Sequence, residues 1–218
     1  MESHELLFSC KARYFKIGTL TEKTKQVWFV IHGYGQLAEH FIKKFKTLGE
    51  HDICVIAPEG LSRFYLEDVT KRMQTGNNRV GATWMTRENR LMDIENYLAY
   101  LNALYASEIK IHSIPVSIVG FSQGAATASR WALDGKSDFK RLILWSGVFP
   151  PDMNFESGKK ILKDKRTILV YGKSDPFLTD NRFTEMKELS QQLEIIPDQI
   201  EFDGGHEIHE PTLLSLIN

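Results

Sequence analysis

Pro115-Val116-Ser117-Ile118-Val119-Gly120-Phe121-Ser122-Gln123-Gly124-Ala125-Ala126-Thr127-Ala128-Ser129 is the stretch whose reading decides the fold. It begins with a short apolar run, Val116 to Val119, that has the length and β-branched character of a buried strand. It ends in small residues that open a helix over Gln123 to Leu133. Between them stands Gly-x-Ser-x-Gly, the strand-turn-helix setting of a nucleophile elbow. So sharp a turn strains the backbone of Ser122 and brings the residues two before and two after it together, which leaves room for nothing beyond Cα at Gly120 and Gly124. Ser122 would then lie at a helix N-terminus, where unpaired N–H groups and the helix dipole favour negative charge. An incidental serine in a glycine-rich turn is the alternative, and the strand before it and the helix after it weigh against that.

Outward from this stretch, short apolar runs alternate with amphipathic segments, the pattern of an α/β fold with a mostly parallel sheet and helices on both faces. Strands are expected at Val27 to Ile31, Ile53 to Ala57, Leu142 to Trp145, Thr167 to Tyr171 and Ile200 to Phe202, with Leu6 to Ile17 as one or two edge strands. The strongest helical periodicity runs from Glu88 to Tyr105, with Leu91, Ile94, Leu98, Leu101, Leu104 and Tyr105 on one face. Further helices are expected over Leu37 to Leu48, Asn181 to Leu193 and Pro211 to Ile217, the last with its proline in the first turn. No repeat and no polar linker divides the chain, so residues 1–218 are expected to form a single domain. Glu59 to Arg87 breaks the alternation and is expected as an irregular loop overhanging the site.

The composition is that of an ordinary globular protein: 218 residues, 42% hydrophobic and 25% charged, which excludes disordered, collagen-like and coiled-coil classes. With a net charge of −1 and no large basic excess in either half of the chain, a general nucleic-acid binder is not expected. Cys10 and Cys54 stand alone, which fits a reducing compartment. Met1 to Glu5 has no basic leader region, and no stretch approaches the roughly 18 apolar residues of a membrane span, so a soluble, cytoplasmic protein is expected.

A nucleophilic serine needs a base, and the base needs an orienting acid. Asp175 follows the strand Thr167 to Tyr171 in Gly172-Lys173-Ser174-Asp175-Pro176, and His206 follows the strand Ile200 to Phe202 in Asp203-Gly204-Gly205-His206. Both therefore fall at the carboxyl ends of parallel strands, on the edge of the sheet that carries Ser122. Asp203 is nearer to His206 in sequence, but a carboxylate on the loop of its own strand is better placed to reach the imidazole, so Asp175 is the expected acid. Ile31-His32-Gly33-Tyr34-Gly35-Gln36 sits where the second oxyanion donor is supplied, which assigns the two donors to the backbone N–H groups of Tyr34 and Gln123, with no need of their side chains. His32, at the end of its strand, is expected to brace that loop rather than act as the base. His206-Glu207-Ile208-His209 lacks the H-E-x-x-H pattern and a third ligand, so no metal is expected.

Taken together, Ile31-His32-Gly33-Tyr34-Gly35, Gly120-Phe121-Ser122-Gln123-Gly124-Ala125, Gly172-Lys173-Ser174-Asp175-Pro176 and Gly205-His206 resemble the phospholipase/carboxylesterase family of α/β-hydrolases, which includes acyl-protein thioesterases. The resemblance covers nearly the whole chain from about Val27 onward, and departs from the family where Thr83-Trp84-Met85 stands in place of a Ser-Trp pair. It implies an α/β-hydrolase fold and hydrolysis of small to medium acyl esters or thioesters by Ser122, His206 and Asp175, without a cofactor. It also implies an acyl site at Trp84 and Met85, and Phe121 and Phe177 flank the catalytic residues. The alternatives are an acyltransferase on the same triad and a ligand-binding protein with an idle one. The partner expected is a small-molecule ester or thioester, and assembly stays open between a monomer and a homodimer.

Overall fold

The computed structural model describes residues 1–109 and 113–217. Its central sheet has seven strands in the order β1-β3-β2-β6-β7-β8-β9. In chain order they are β1 (Tyr14–Ile17), β2 (Gln26–Ile31), β3 (Ile53–Pro58), β6 (Val116–Phe121), β7 (Arg141–Trp145), β8 (Arg166–Gly172) and β9 (Asp198–Phe202), with β4 (Ser62–Tyr65) and β5 (Val80–Thr83) paired as a separate antiparallel hairpin. β1 joins β3 antiparallel, and every other pair in the large sheet is parallel. The inner strands are buried on both faces, which is why they read as unbroken apolar runs. Alternate residues of β2 show the two layers. Val27, Phe29 and Ile31 face α3 (Arg90–Glu108), α4 (Gln123–Leu133), α5 (Phe155–Leu162) and α6 (Asp180–Gln192). Trp28 and Val30 face α1 (Ala38–Phe41), the 3₁₀ run Ile42–His51 and α7 (Glu210–Ser215). This is the mostly parallel, helix-covered sheet of an α/β-hydrolase fold.

The differences from expectation have local causes. Of Leu6 to Ile17 only β1 forms a strand, and the residues before Tyr14 have no regular structure. The helix expected over Leu37 to Leu48 is a single α turn followed by the 3₁₀ run, whose buried residues Ile42, Phe45 and Leu48 recur every three positions, the period of a 3₁₀ turn. Glu59 to Arg87 is not irregular. It is the β4–β5 hairpin with α2 (Val69–Thr75) between its strands, where the Asp68 carboxylate accepts the Lys71 N–H at 2.9 Å and Gly76 ends the helix at φ 67°. Helix α5, which no periodicity announced, is capped by the Asn154 side chain, which accepts the Ser157 N–H at 2.9 Å.

The parallel register sets Ile31 of β2 beside Gly120 of β6, so the loop after β2 and the turn after β6 leave the sheet side by side. A Cβ on Gly124 would run into the Ile31 carbonyl, and one on Gly120 into the Gly124 carbonyl. Gly124→Ala is therefore expected to cost about 3 kcal/mol or more in urea unfolding. Gly76→Ala, with φ 67° but open space around it, should cost only about 1 kcal/mol, and equal losses would show that the contact at Gly124 is not tight.

Candidate active site

Ser122 sits between β6 and α4 with φ 55° and ψ −120°, a left-handed backbone that a non-glycine residue holds only when its surroundings impose it. The imposition is visible: the Ser122 N–H donates to the Trp145 carbonyl at 2.9 Å, and the glycines on either side let α4 start against the end of β2. The loop after β2 comes close to the serine, since a Cβ on Gly33 would lie 3.1 Å from Ser122 Cβ. Among the described residues, no acceptor takes the backbone N–H of Tyr34 or Gln123. The Tyr34 ring itself is exposed and lies 5.1 Å from the Phe64 ring.

Asp175 and His206, which follow β8 and β9, are brought together. His206 Nδ1 lies 2.8 Å from Asp175 Oδ2, and Asp175 Oδ1 accepts the Phe177 N–H at 3.0 Å. The aspartate side chain is wholly buried, so both of its oxygens are committed to these partners. A carboxylate has no proton to give, so Nδ1 is the donor in this contact and Nε2 is the ring nitrogen that Asp175 leaves for other partners. Phe121 and Phe177 pack on the His206 ring with centroids at 4.8 and 4.7 Å, which fixes its plane. The two loops are joined by backbone hydrogen bonds from Lys173 to Phe202 and from Ser174 to Gly204. Asp203 points elsewhere: it is exposed and pairs with Lys173 Nζ at 2.8 Å. His209 stacks on Phe202 and pairs with Thr212 Oγ1, and among the described residues no cluster of His, Cys, Asp and Glu could hold a metal ion.

Beside Ser122 lies a cavity of about 360 Å3, walled by Val148, Phe149, Pro150, Phe177 and Leu178, with Arg182 also in its lining. Of the expected pocket residues only Phe177 lines it. Trp84 is buried and donates its indole N–H to the His32 carbonyl at 2.9 Å, so it braces the loop after β2. Met85 presents its carbonyl to Gln123, and Phe121 lies against the imidazole. Gly60 before the β4–β5 hairpin and Trp84 and Met85 after it thus hold the neighbouring loops, and Trp84 also lines a separate cavity of about 1070 Å3. The apolar wall of the cavity beside Ser122 has a signal in the sequence: Val148-Phe149-Pro150-Pro151 is an apolar run directly after the carboxyl end of β7, where sites form in such sheets.

His32 is buried, with Nδ1 2.7 Å from the Gly33 carbonyl and Nε2 accepting the Gly60 N–H at 2.9 Å. Burial, opposed by the Gly33 carbonyl and the Glu59 charge, holds its pKa down to about 4. The unfolded chain therefore binds the extra proton between about 4 and the ordinary value of about 6.5. Stability rises with pH across that window and is lost as acid is added through it, by an amount on the order of 3 kcal/mol. Urea midpoints measured between pH 7 and pH 4.5 should fall more steeply for the native protein than for His32→Gln. Parallel curves would mean that His32 is not buried as the neutral form.

The sequence model of the family described as serine hydrolase (FSH1) matches residues 21–213. No curated protein matches the chain. Among solved structures, acyl-protein thioesterase 2 from Zea mays superposes with a TM-score of 0.70 at 16% identity, covering 94% of this chain and 96% of that one. A phospholipase/carboxylesterase from Dyadobacter fermentans gives 0.64 at 17% identity over 96% of both chains. The Bacillus cereus carboxylesterase gives 0.65 at 15% identity over 94% of this chain and 91% of that one. At these identities the likeness is one of fold, whereas the family match spans most of the sequence and both loops beside Ser122. The chain belongs to the serine hydrolase (FSH1) family.

Proposed function

We propose that the protein hydrolyses esters or thioesters of small to medium carboxylic acids through an acyl-enzyme on Ser122, with His206 as the base and Asp175 as its orienting acid. The observation that carries this is the Asp175–His206 contact at 2.8 Å, made by a buried carboxylate to the Nδ1 side of a ring clamped by Phe121 and Phe177. His206 Nε2 takes the Ser122 proton as Oγ attacks the carbonyl carbon, and the oxygen that gains the charge is received by the N–H groups of Tyr34 and Gln123. Collapse of this intermediate expels the alcohol or thiol, which takes the proton back from His206. Water then attacks the acyl carbon while giving a proton to His206, and the bond from that carbon to Ser122 Oγ breaks with the proton passing from His206 to Oγ, which releases the acid. A cavity of about 360 Å3 with apolar walls stands at the small end of ligand sites, which favours short acyl chains over long ones.

A fluorophosphonate is expected to label Ser122 stoichiometrically and to leave Ser122→Ala unlabelled, and a chromogenic ester series should be turned over faster at butyryl and hexanoyl than at palmitoyl. Asp175→Asn should lower single-turnover acylation by about 10⁴. Asp203→Asn should stay within about tenfold of wild type, or 1.4 kcal/mol. Labelling that persists in Ser122→Ala, or a larger loss at Asp203 than at Asp175, would overturn the assignment.

A further inference from the structure

Gln123 engages the β4–β5 hairpin through its side chain. Its Oε1 accepts the Trp84 N–H at 3.3 Å and lies 3.0 Å from Thr83 Oγ1, and its Nε2 donates to the Met85 carbonyl at 3.0 Å. These partners fix the orientation of the carboxamide, because a flipped amide would set Nε2 against the Trp84 N–H and Oε1 against the Met85 carbonyl. The side chain behaves as one more peptide unit added to the end of β5.

The same strand holds the other loop. The Gly35 N–H donates to the Ala82 carbonyl at 2.9 Å, and the Ala82 N–H donates to the Gln36 carbonyl at 3.2 Å, an antiparallel bridge that begins one residue after Tyr34. A Cβ on Gly81 would run into the Gly35 carbonyl, so backbone meets backbone there. Residues 81–85 thus touch both segments whose amides would receive the oxyanion.

We propose that the Gln123 carboxamide is a positioning residue: by pairing with Thr83, Trp84 and Met85 it fixes its own backbone N–H relative to that of Tyr34, so that two donors on separate loops act as one preorganised pair. This rests on the oxyanion reading given under Proposed function. Donors of this kind must be held to within about 0.5 Å of their working geometry. The backbone of Ser122 just before is strained at φ 55° and gains from relaxing, and the carboxamide opposes that relaxation at the first residue of α4. Because the charge grows only as the tetrahedral intermediate forms, a displaced amide slows acylation and leaves ground-state binding alone. In this role the hairpin is a gauge that spaces the two amides.

The test is single-turnover acylation by a chromogenic ester, with active sites counted by phosphonate titration. Gln123→Ala should lower the acylation rate per titrated site by about tenfold to a hundredfold, with the half-saturating ester concentration within about threefold of wild type. Gln123→Glu keeps the acceptor and loses the donor to Met85, and should fall as far. Thr83→Val, which puts a methyl group in place of the hydroxyl that lies between Gln123 Oε1 and the Met85 carbonyl and guards against a misfolded Gln123 variant, should lose about threefold to tenfold, and Thr83→Ser should keep the wild-type rate. Wild-type rates per titrated site in both Gln123 variants would overturn the proposal, and so would a loss expressed only as fewer titratable sites. Turnover retained in Ser122→Ala would instead overturn the reading on which it rests.

Discussion

The approach of the Gly124 backbone to the carbonyls at the end of β2 is the contact on which the site depends. A side chain at this position would collide with the Ile31 carbonyl oxygen, and the His32 carbonyl stands 2.6 Å from where its Cβ would be. Because β2 and β6 run parallel with Ile31 opposite Gly120, the loop that follows one and the turn that follows the other are neighbours by register alone. Glycine turns that adjacency into contact. The left-handed backbone of Ser122 is the result, held by its N–H bond to Trp145.

Beside this contact a set of buried hydrogen bonds roots the hairpin. Glu59, with its side chain 1% exposed, accepts Arg13 Nε at 2.6 Å and Arg13 Nη2 at 3.1 Å, and its Oε2 also accepts the Ala38 N–H at 3.2 Å. Removing Arg13 would leave the buried carboxylate only the more distant Arg63 Nε, 3.6 Å away, as counter-charge, and breaking such a pair outright costs about 3–5 kcal/mol. One residue on, Gly60 donates to His32, whose carbonyl receives the Trp84 indole from the far end of the same hairpin. The root of the hairpin is therefore fixed by buried hydrogen bonds while Tyr65, Val69 and Met73 at its tip stay exposed.

Much of this was legible in the sequence, for identifiable reasons. The inner strands are buried on both faces, so apolar runs marked them directly, and Gly120 and Gly124 announced the turn at Ser122 because no other residue fits. Asp175 and His206 could be paired because the order of strands places their loops on one edge. The β4–β5 hairpin escaped because its strands have four residues each and α2 buries none of its side chains, so neither period of burial was written into 59–87. The caps at Asp68 and Gly76 were the available signal. That Trp84 braces the loop after β2 was not legible either, because its indole N–H finds a carbonyl beneath that loop, a partner that composition does not reveal. The sequence also offered nothing to show that the Gln123 side chain has a task apart from its amide, since its partners lie about forty residues away.

The most direct measurement of the central claim is a crystal structure of the protein phosphonylated by a short-chain alkyl fluorophosphonate. The geometry predicts a bond from Ser122 Oγ to phosphorus, with the phosphonyl oxygen accepting the N–H groups of both Tyr34 and Gln123 and the alkyl group lying against Val148 and Phe149. A phosphonyl oxygen that faces solvent or meets only one of the two amides, or phosphorus carried by a residue other than Ser122, would contradict it.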